Sequence, residues 1–137
     1  MSKTLKIVIF SVIGAVVICC GGGSAAFFLV LNSSTKAPKA ATGDFLSALE
    51  GGNNQAAYKL LCASTQKSYG PETFEAYVQK NQPVSHDLDW GGSYYNSNGH
   101  ETASISGTVT YKNGASNSHE FSLVKESGSW KVCGNPY

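Results

Sequence analysis

Thr102-Ala103-Ser104-Ile105-Ser106-Gly107-Thr108-Val109-Thr110-Tyr111 alternates with a period of two: Ala103, Ile105, Val109 and Tyr111 take one face, and Thr102, Ser104, Ser106, Thr108 and Thr110 the other. Successive side chains of a strand point to opposite faces, so the stretch reads as a half-buried β-strand. Upstream, Val84, His86, Leu88 and Trp90 alternate with Ser85, Asp87 and Asp89 until Gly91-Gly92 interrupts them, a place suited to a bulge. Downstream, Phe121 and Leu123 mark a third strand, Trp130 and Val132 a fourth. Asn98-Gly99, Asn113-Gly114 and Ser127-Gly128 fall at the three junctions, and such pairs supply the positive φ angles of tight hairpins. The expectation is a four-stranded antiparallel meander with Trp90 and Trp130 buried, since each shares parity with apolar neighbours.

Between Ala41 and Pro83 the period is helical. Thr42 is placed to cap a helix with Asp44 in its first turn and Phe45, Leu46 and Leu49 on one face, ended by Gly51-Gly52. Asn53 or Asn54 opens a second, with Ala57, Leu60 and Leu61 as its stripe. Pro71 starts a third; Glu72 and Glu75 favour its positive end, and Phe74, Tyr77 and Val78 repeat at three and four. Three short helices followed by a curved four-stranded antiparallel sheet define an α+β domain with its helices on one face.

Ahead of this domain, residues 7–31 carry no charge. At 1.5 Å per residue they make about 37 Å of helix, enough to cross a hydrocarbon core of about 30 Å with some tilt. A cleaved signal peptide with a small-residue site at Ser24-Ala25-Ala26 is the competing reading; Phe27 to Leu31 extend the apolar run past that site and favour an uncleaved anchor. Ile18 stands before Cys19 where a lipidation site wants a small residue. Gly21/Ala25 and Gly22/Ala26 give a weak helix-pairing face. The expected organisation is a short cytoplasmic leader over 1–6, a transmembrane helix over 7–31, a polar stalk over 32–40 and an α+β domain over 41–137.

Charge divides along the same line. Lys3, Lys6, Lys36 and Lys39 make the first forty residues +4, whereas six lysines against nine carboxylates leave the rest at −3. There is no arginine, so the forked donors that read phosphates and bases are missing, and an acidic domain repels a nucleic-acid backbone. Nucleic acid is excluded as a partner on this ground. Two lysines stand on each side of the apolar run, leaving orientation to the short leader, which favours a cytoplasmic N-terminus and an extracytoplasmic domain.

No motif carries chemistry on its own. Ser64-Thr65-Gln66-Lys67 matches the Ser-x-x-Lys of penicillin-recognising enzymes, without the Ser-Asp-Asn and Lys-Thr-Gly elements those enzymes also need. His86, His100 and His119 each adjoin a carboxylate, but neighbours in a strand face opposite ways, so no chelating pair results and no metal or other cofactor is expected. His86 shares the inner parity of Val84, Leu88 and Trp90. A ligand pocket lined by His86, Trp90, Tyr94 and Tyr111 is the candidate site, with a rim histidine bonded to backbone or water as the plainer alternative.

Phe45-Leu46-Ser47-Ala48-Leu49-Glu50-Gly51-Gly52-Asn53, Ala56-Ala57-Tyr58-Lys59-Leu60-Leu61-Cys62 and the ending Trp130-Lys131-Val132-Cys133-Gly134-Asn135-Pro136-Tyr137 resemble uncharacterised membrane-tethered or lipid-tethered proteins of actinobacteria. The domain is similar to the cystatin-like, nuclear-transport-factor-2-like cone, in which a curved sheet wraps a long helix. That resemblance implies a fold and a location; relatives of the fold include isomerases, dehydratases and hydrolases as well as domains that only bind. The resulting expectation is a non-catalytic, membrane-anchored extracytoplasmic module, not an enzyme, for an unknown envelope protein or small ligand. Its rival is a small lyase or isomerase using His86 with Asp44 or Asp89.

Cys62 and Cys133 lie outside the apolar run, one near the end of a helix and one near the end of the last strand. Two lone cysteines make a poor zinc site, so a disulfide is expected, although Cys133 has the opposite parity to Trp130 and Val132. Two buried free thiols are the alternative. In intact membranes, external protease should degrade the domain, and the mass of the untreated chain should include residues 1–31 apart from any loss of Met1. Recovery of a soluble form beginning near Phe27 overturns the anchor.

Overall fold

The computed structural model describes residues 34–135. The expected leader, the apolar segment 7–31 and its cysteines lie outside them. Among the described residues no helix is long and apolar enough to cross a membrane.

Among the described residues, four helices precede four strands. Helix α1 is described from 34 to 50; α2 (Asn54–Lys59), α3 (Ala63–Ser68) and α4 (Pro71–Lys80) follow. Strands β1 (Pro83–Ser97), β2 (His100–Tyr111), β3 (Ser116–Glu126) and β4 (Ser129–Cys133) form one antiparallel sheet in sequence order. Phe45, Leu46 and Leu49 from α1, Leu61, and Phe74 and Val78 from α4 meet Ile105, Val109, Phe121, Leu123 and Val132 in one core. The apolar parity of β2 and β3 thus faces the helices, as alternation predicts.

The segment expected to be a stalk is helical from 34 onward, and Thr42 does not cap. It sits inside α1, fully buried, and its hydroxyl donates to the Pro38 carbonyl four residues back at 3.0 Å. Buried Pro38 and Thr42 bring this turn of α1 into the domain, so packing rather than capping chemistry decides the helix there. Helix α3 is a fourth helix that periodicity over six residues is too short to reveal. Asn53 does cap α2, accepting from the Ala56 amide at 3.1 Å, and Pro71 opens α4.

Strand β1 departs most from simple alternation. One extra residue between Pro83 and Ser85 turns Val84 outward, leaving it 49% exposed. Between the pairs Leu88↔Gly107 and Gly92↔Ile105, three residues of β1 oppose Ser106 alone. This bulge lifts Trp90 out of the sheet to 79% exposure, which corrects the expectation that it is buried. Trp130 is half-buried at the edge of the core. The bulge depends on close approach of the two backbones: a methyl at Gly107 would lie 2.7 Å from the Asp87 carbonyl oxygen, and one at Gly92 2.7 Å from that of Ser104. The β1–β2 and β3–β4 turns use Asn98-Gly99 and Ser127-Gly128 with positive φ at both residues.

The last strand is held from its open side. Cys62 N–H donates to the Val132 carbonyl at 2.8 Å and Val132 N–H to the Leu60 carbonyl at 2.9 Å, making a one-residue parallel bridge between Leu61 and Val132. With Val132 turned into the core, Cys133 points the other way, beside Cys62. Their sulfurs are bonded and their Cα atoms are 5.3 Å apart, so the parity that argued against the pairing is what permits it. The bond closes a loop of sequence separation 71. Replacing both cysteines by serine should lower unfolding free energy by about 4 kcal/mol on the chain-entropy estimate, read as a drop in urea midpoint. An unchanged midpoint would show that the bridge constrains nothing.

Candidate functional site

The four residues expected to share a pocket do not converge. His86 is paired with Val109, two residues from Tyr111, whereas Tyr94 is paired with Ala103. From Ala103 to Tyr111 is about 26 Å along a strand. Trp90 projects from the bulge between them.

His86 is engaged and covered. Its Nδ1 lies 2.6 Å from Glu50 Oε1 at the end of α1, rather than near Asp44 or Asp89. Gly43 of α1 faces it: a methyl there would be 4.0 Å from Nε2 and 3.9 Å from Leu88 Cδ1. The helix therefore lies against one side of the imidazole, whose side chain keeps 19% exposure. Tyr94, at the other end of the sheet, donates to Glu101 Oε1 at 2.8 Å and meets the Trp130 ring edge-on at 6.2 Å. Lys125 Nζ stands 2.6 Å from Glu101 Oε2. Hydrogen bonds from Lys125 and then Tyr94 hold the Glu101 carboxyl below its ordinary value, and Glu101 holds the Lys125 ammonium above its own. This cluster is a surface clasp between β1, β2 and β3.

Tyr111 keeps different company. Its hydroxyl lies 2.6 Å from His119 Nε2, and the rings meet nearly perpendicular at 6.2 Å. Asn117 also hydrogen-bonds the phenol. Burial raises the Tyr111 pKa and lowers that of His119, so both are neutral at pH 7 and share one hydrogen bond between the phenol oxygen and Nε2. His119 was the residue sequence reading passed over in favour of His86; its shared parity with Phe121 and Leu123 was the available signal.

The dyad borders a cleft of about 490 Å³ between the C-terminal end of α4 and the β2–β3 hairpin. The amide residues Gln79, Asn81, Gln82, Asn113 and Asn117 line it, and Lys80 and Lys112 are its charged residues; the described lining holds no carboxylate. The cleft offers donors, two cations and a fixed neutral dyad. A second cleft of about 660 Å³ lies between α2 and α4, where Asn54 Oδ1 is buried without a hydrogen-bond partner among the described residues. Among those residues no cluster of three or more His, Cys, Asp or Glu could hold a metal ion.

No family model matches the chain, and no curated protein matches it. Among solved structures, the chain is similar to a Campylobacter jejuni protein described as a candidate NTF2-like transpeptidase, with a TM-score of 0.53 at 15% sequence identity. The match covers 72% of this chain and 98% of that one. At that identity the likeness speaks for the fold alone: four helices packed on a four-stranded antiparallel sheet in the NTF2-like arrangement.

In a nuclear magnetic resonance titration, the His119 ring should show a midpoint below the ordinary value of about 6.5. A folded-state value below the unfolded one gives stability that is present above the unfolded value and lost as pH falls through the folded value. Acidification below about pH 6.5 should therefore weaken the domain. Tyr111→Phe removes the hydrogen bond at Nε2 and should move the midpoint. A wild-type midpoint at or above 6.5 contradicts the neutral dyad.

Proposed function

We propose that this chain is a membrane-anchored, extracytoplasmic binding module of NTF2-like fold, held at the membrane by residues 7–31. Its recognition surface is the cleft beside Tyr111 and His119, and its ligand is a small, polar, anionic molecule or an anionic segment of an envelope component. The observation that carries this reading is the cleft lining: Lys80 and Lys112, several amides and a neutral dyad, with no carboxylate to repel an anion. The Cys62–Cys133 bond supports an oxidising compartment, since such bonds persist outside the cytosol.

The rival, lyase or isomerase chemistry at His86, draws on the His86–Glu50 pair, which has the hydrogen bond of an acid–base couple. Against it, α1 lies against the imidazole on the Nε2 side and His86 lines none of the described clefts. The transpeptidase description of the Campylobacter jejuni protein raises a further enzymatic reading, for which Ser64 and Lys67 on α3 are the residues to consider. Ser64 Oγ lies 3.2 Å from Cys62 Sγ, beside the disulfide.

Glucuronate and glucose make a matched pair of probes, alike in shape and different in charge. Added to the full chain in micelles, glucuronate should shift the His119 ring and the Asn113 and Asn117 amide signals, and glucose should not. The double variant Lys80→Glu, Lys112→Glu should abolish the response. Equal responses to the two sugars, or none to glucuronate, would remove the anionic-ligand reading.

A further inference from the structure

The most exposed aromatic described in the domain has no role in its core. Trp90 is 79% exposed, although tryptophan is among the side chains most buried on average. Close backbone approach brackets the bulge that presents it: at Gly92 and at Gly107 a Cβ would meet a backbone oxygen at 2.7 Å, and the three residues opposite Ser106 lie between these points.

The same bulge lies next to the start of the described domain. A methyl on Gly92 would be 3.7 Å from Thr35 Cγ2, in the first turn described for α1. Thr35 follows the last residue of the apolar run, Leu31, by four positions. Four residues span from about 6 Å as helix to about 14 Å fully extended. The interfacial layer beyond the hydrocarbon core is itself about 7 Å thick on each side. If residues 7–31 are the anchor, Thr35 emerges at or just above the headgroups, and Trp90 is two residues from Gly92, the position that faces it.

The geometry points to Trp90 as an interfacial contact of the domain with the lipid headgroup layer of the membrane that anchors it, an inference that rests on the anchor reading. An indole has an apolar body and one N–H donor, which suits the boundary between acyl chains and water. Lys36, exposed and adjacent to Thr35, adds a cation at the same level that favours lipid phosphate. The acidic neighbour Asp89 lies over the outer face of the sheet, lining a shallow cleft with Ser106, Thr108, Ser118 and Glu120.

The chain has two tryptophans, Trp90 and Trp130, so Trp130→Phe leaves Trp90 as the sole indole. That full-length variant is reconstituted into phosphatidylcholine vesicles containing some phosphatidylglycerol, and flotation reads anchoring independently of fluorescence. Replacing the lipids by their chain-brominated forms should then reduce Trp90 emission about twofold. The complementary variant, Trp90→Phe, reports Trp130 and should be quenched little, and Trp90→Ala should keep the wild-type urea midpoint. Floating vesicles without quenching of Trp90 overturn the headgroup contact and leave the anchor standing; protection that instead grows with protein-to-lipid ratio assigns Trp90 to a second copy and overturns it likewise. Failure to float removes the anchor and the contact together.

Discussion

The attachment of Leu60–Cys62 to the free side of β4 is the constraint on which the domain depends. Two backbone hydrogen bonds at 2.8 and 2.9 Å and one covalent bond join the helical half of the chain to the last strand of the sheet. Leu61 and Val132, at the bridge itself, are both almost wholly buried, so the junction is also where the helical and sheet contributions to the core meet. Smaller contacts gather around it. Gly134 N–H donates to the buried Thr65 hydroxyl at 2.9 Å, and Lys131 Nζ to the Lys59 carbonyl at 2.9 Å. A domain of about a hundred residues has only a few kcal/mol of net stability, and a cross-link of this loop length contributes a large part of it.

The junction also settles an edge. A β4 with open amides and carbonyls would be a template for another chain; the Leu60–Cys62 segment satisfies two of its groups and lies alongside it. The opposite edge, β1, is treated differently. Its two register shifts, the second of them the bulge at 89–91, break the regular row that a foreign strand would need.

Much of the sheet was legible because period two is a local signal. The parity of Ala103, Ile105, Val109 and Tyr111 transfers directly to burial, and the Asn-Gly and Ser-Gly pairs mark their turns. The cysteine pairing followed from elimination. What sequence could not give was distance. His86, Tyr94 and Tyr111 share an inward parity, yet strand length separates the first and last from Tyr94, and no local pattern encodes that spread. Trp90 failed for a related reason: two extra residues preserve parity on either side of a bulge, so alternation continues through Gly92 while the residue between is expelled. Thr42 was read as a cap because its chemistry suits one, and burial with Pro38 gave it another use. His119 shares the apolar parity of Phe121 and Leu123, a signal that its neighbouring carboxylate Glu120 obscures.

The disulfide has a mechanical consequence. A load applied between α1 and the residues after Cys133 is carried from Cys62 to Cys133 through sulfur, bypassing α3, α4 and all but the end of the sheet. Under such pulling, only the residues before Cys62 and after Cys133 can be drawn out as slack. From Ser34 to Cys62 that is about 100 Å of extended chain, against about 350 Å for all the described residues without the bond. A domain tugged through its N-terminal connection is thus limited to yielding at α1 and α2, while the sheet and the cleft beside Tyr111 and His119 stay inside a closed covalent ring.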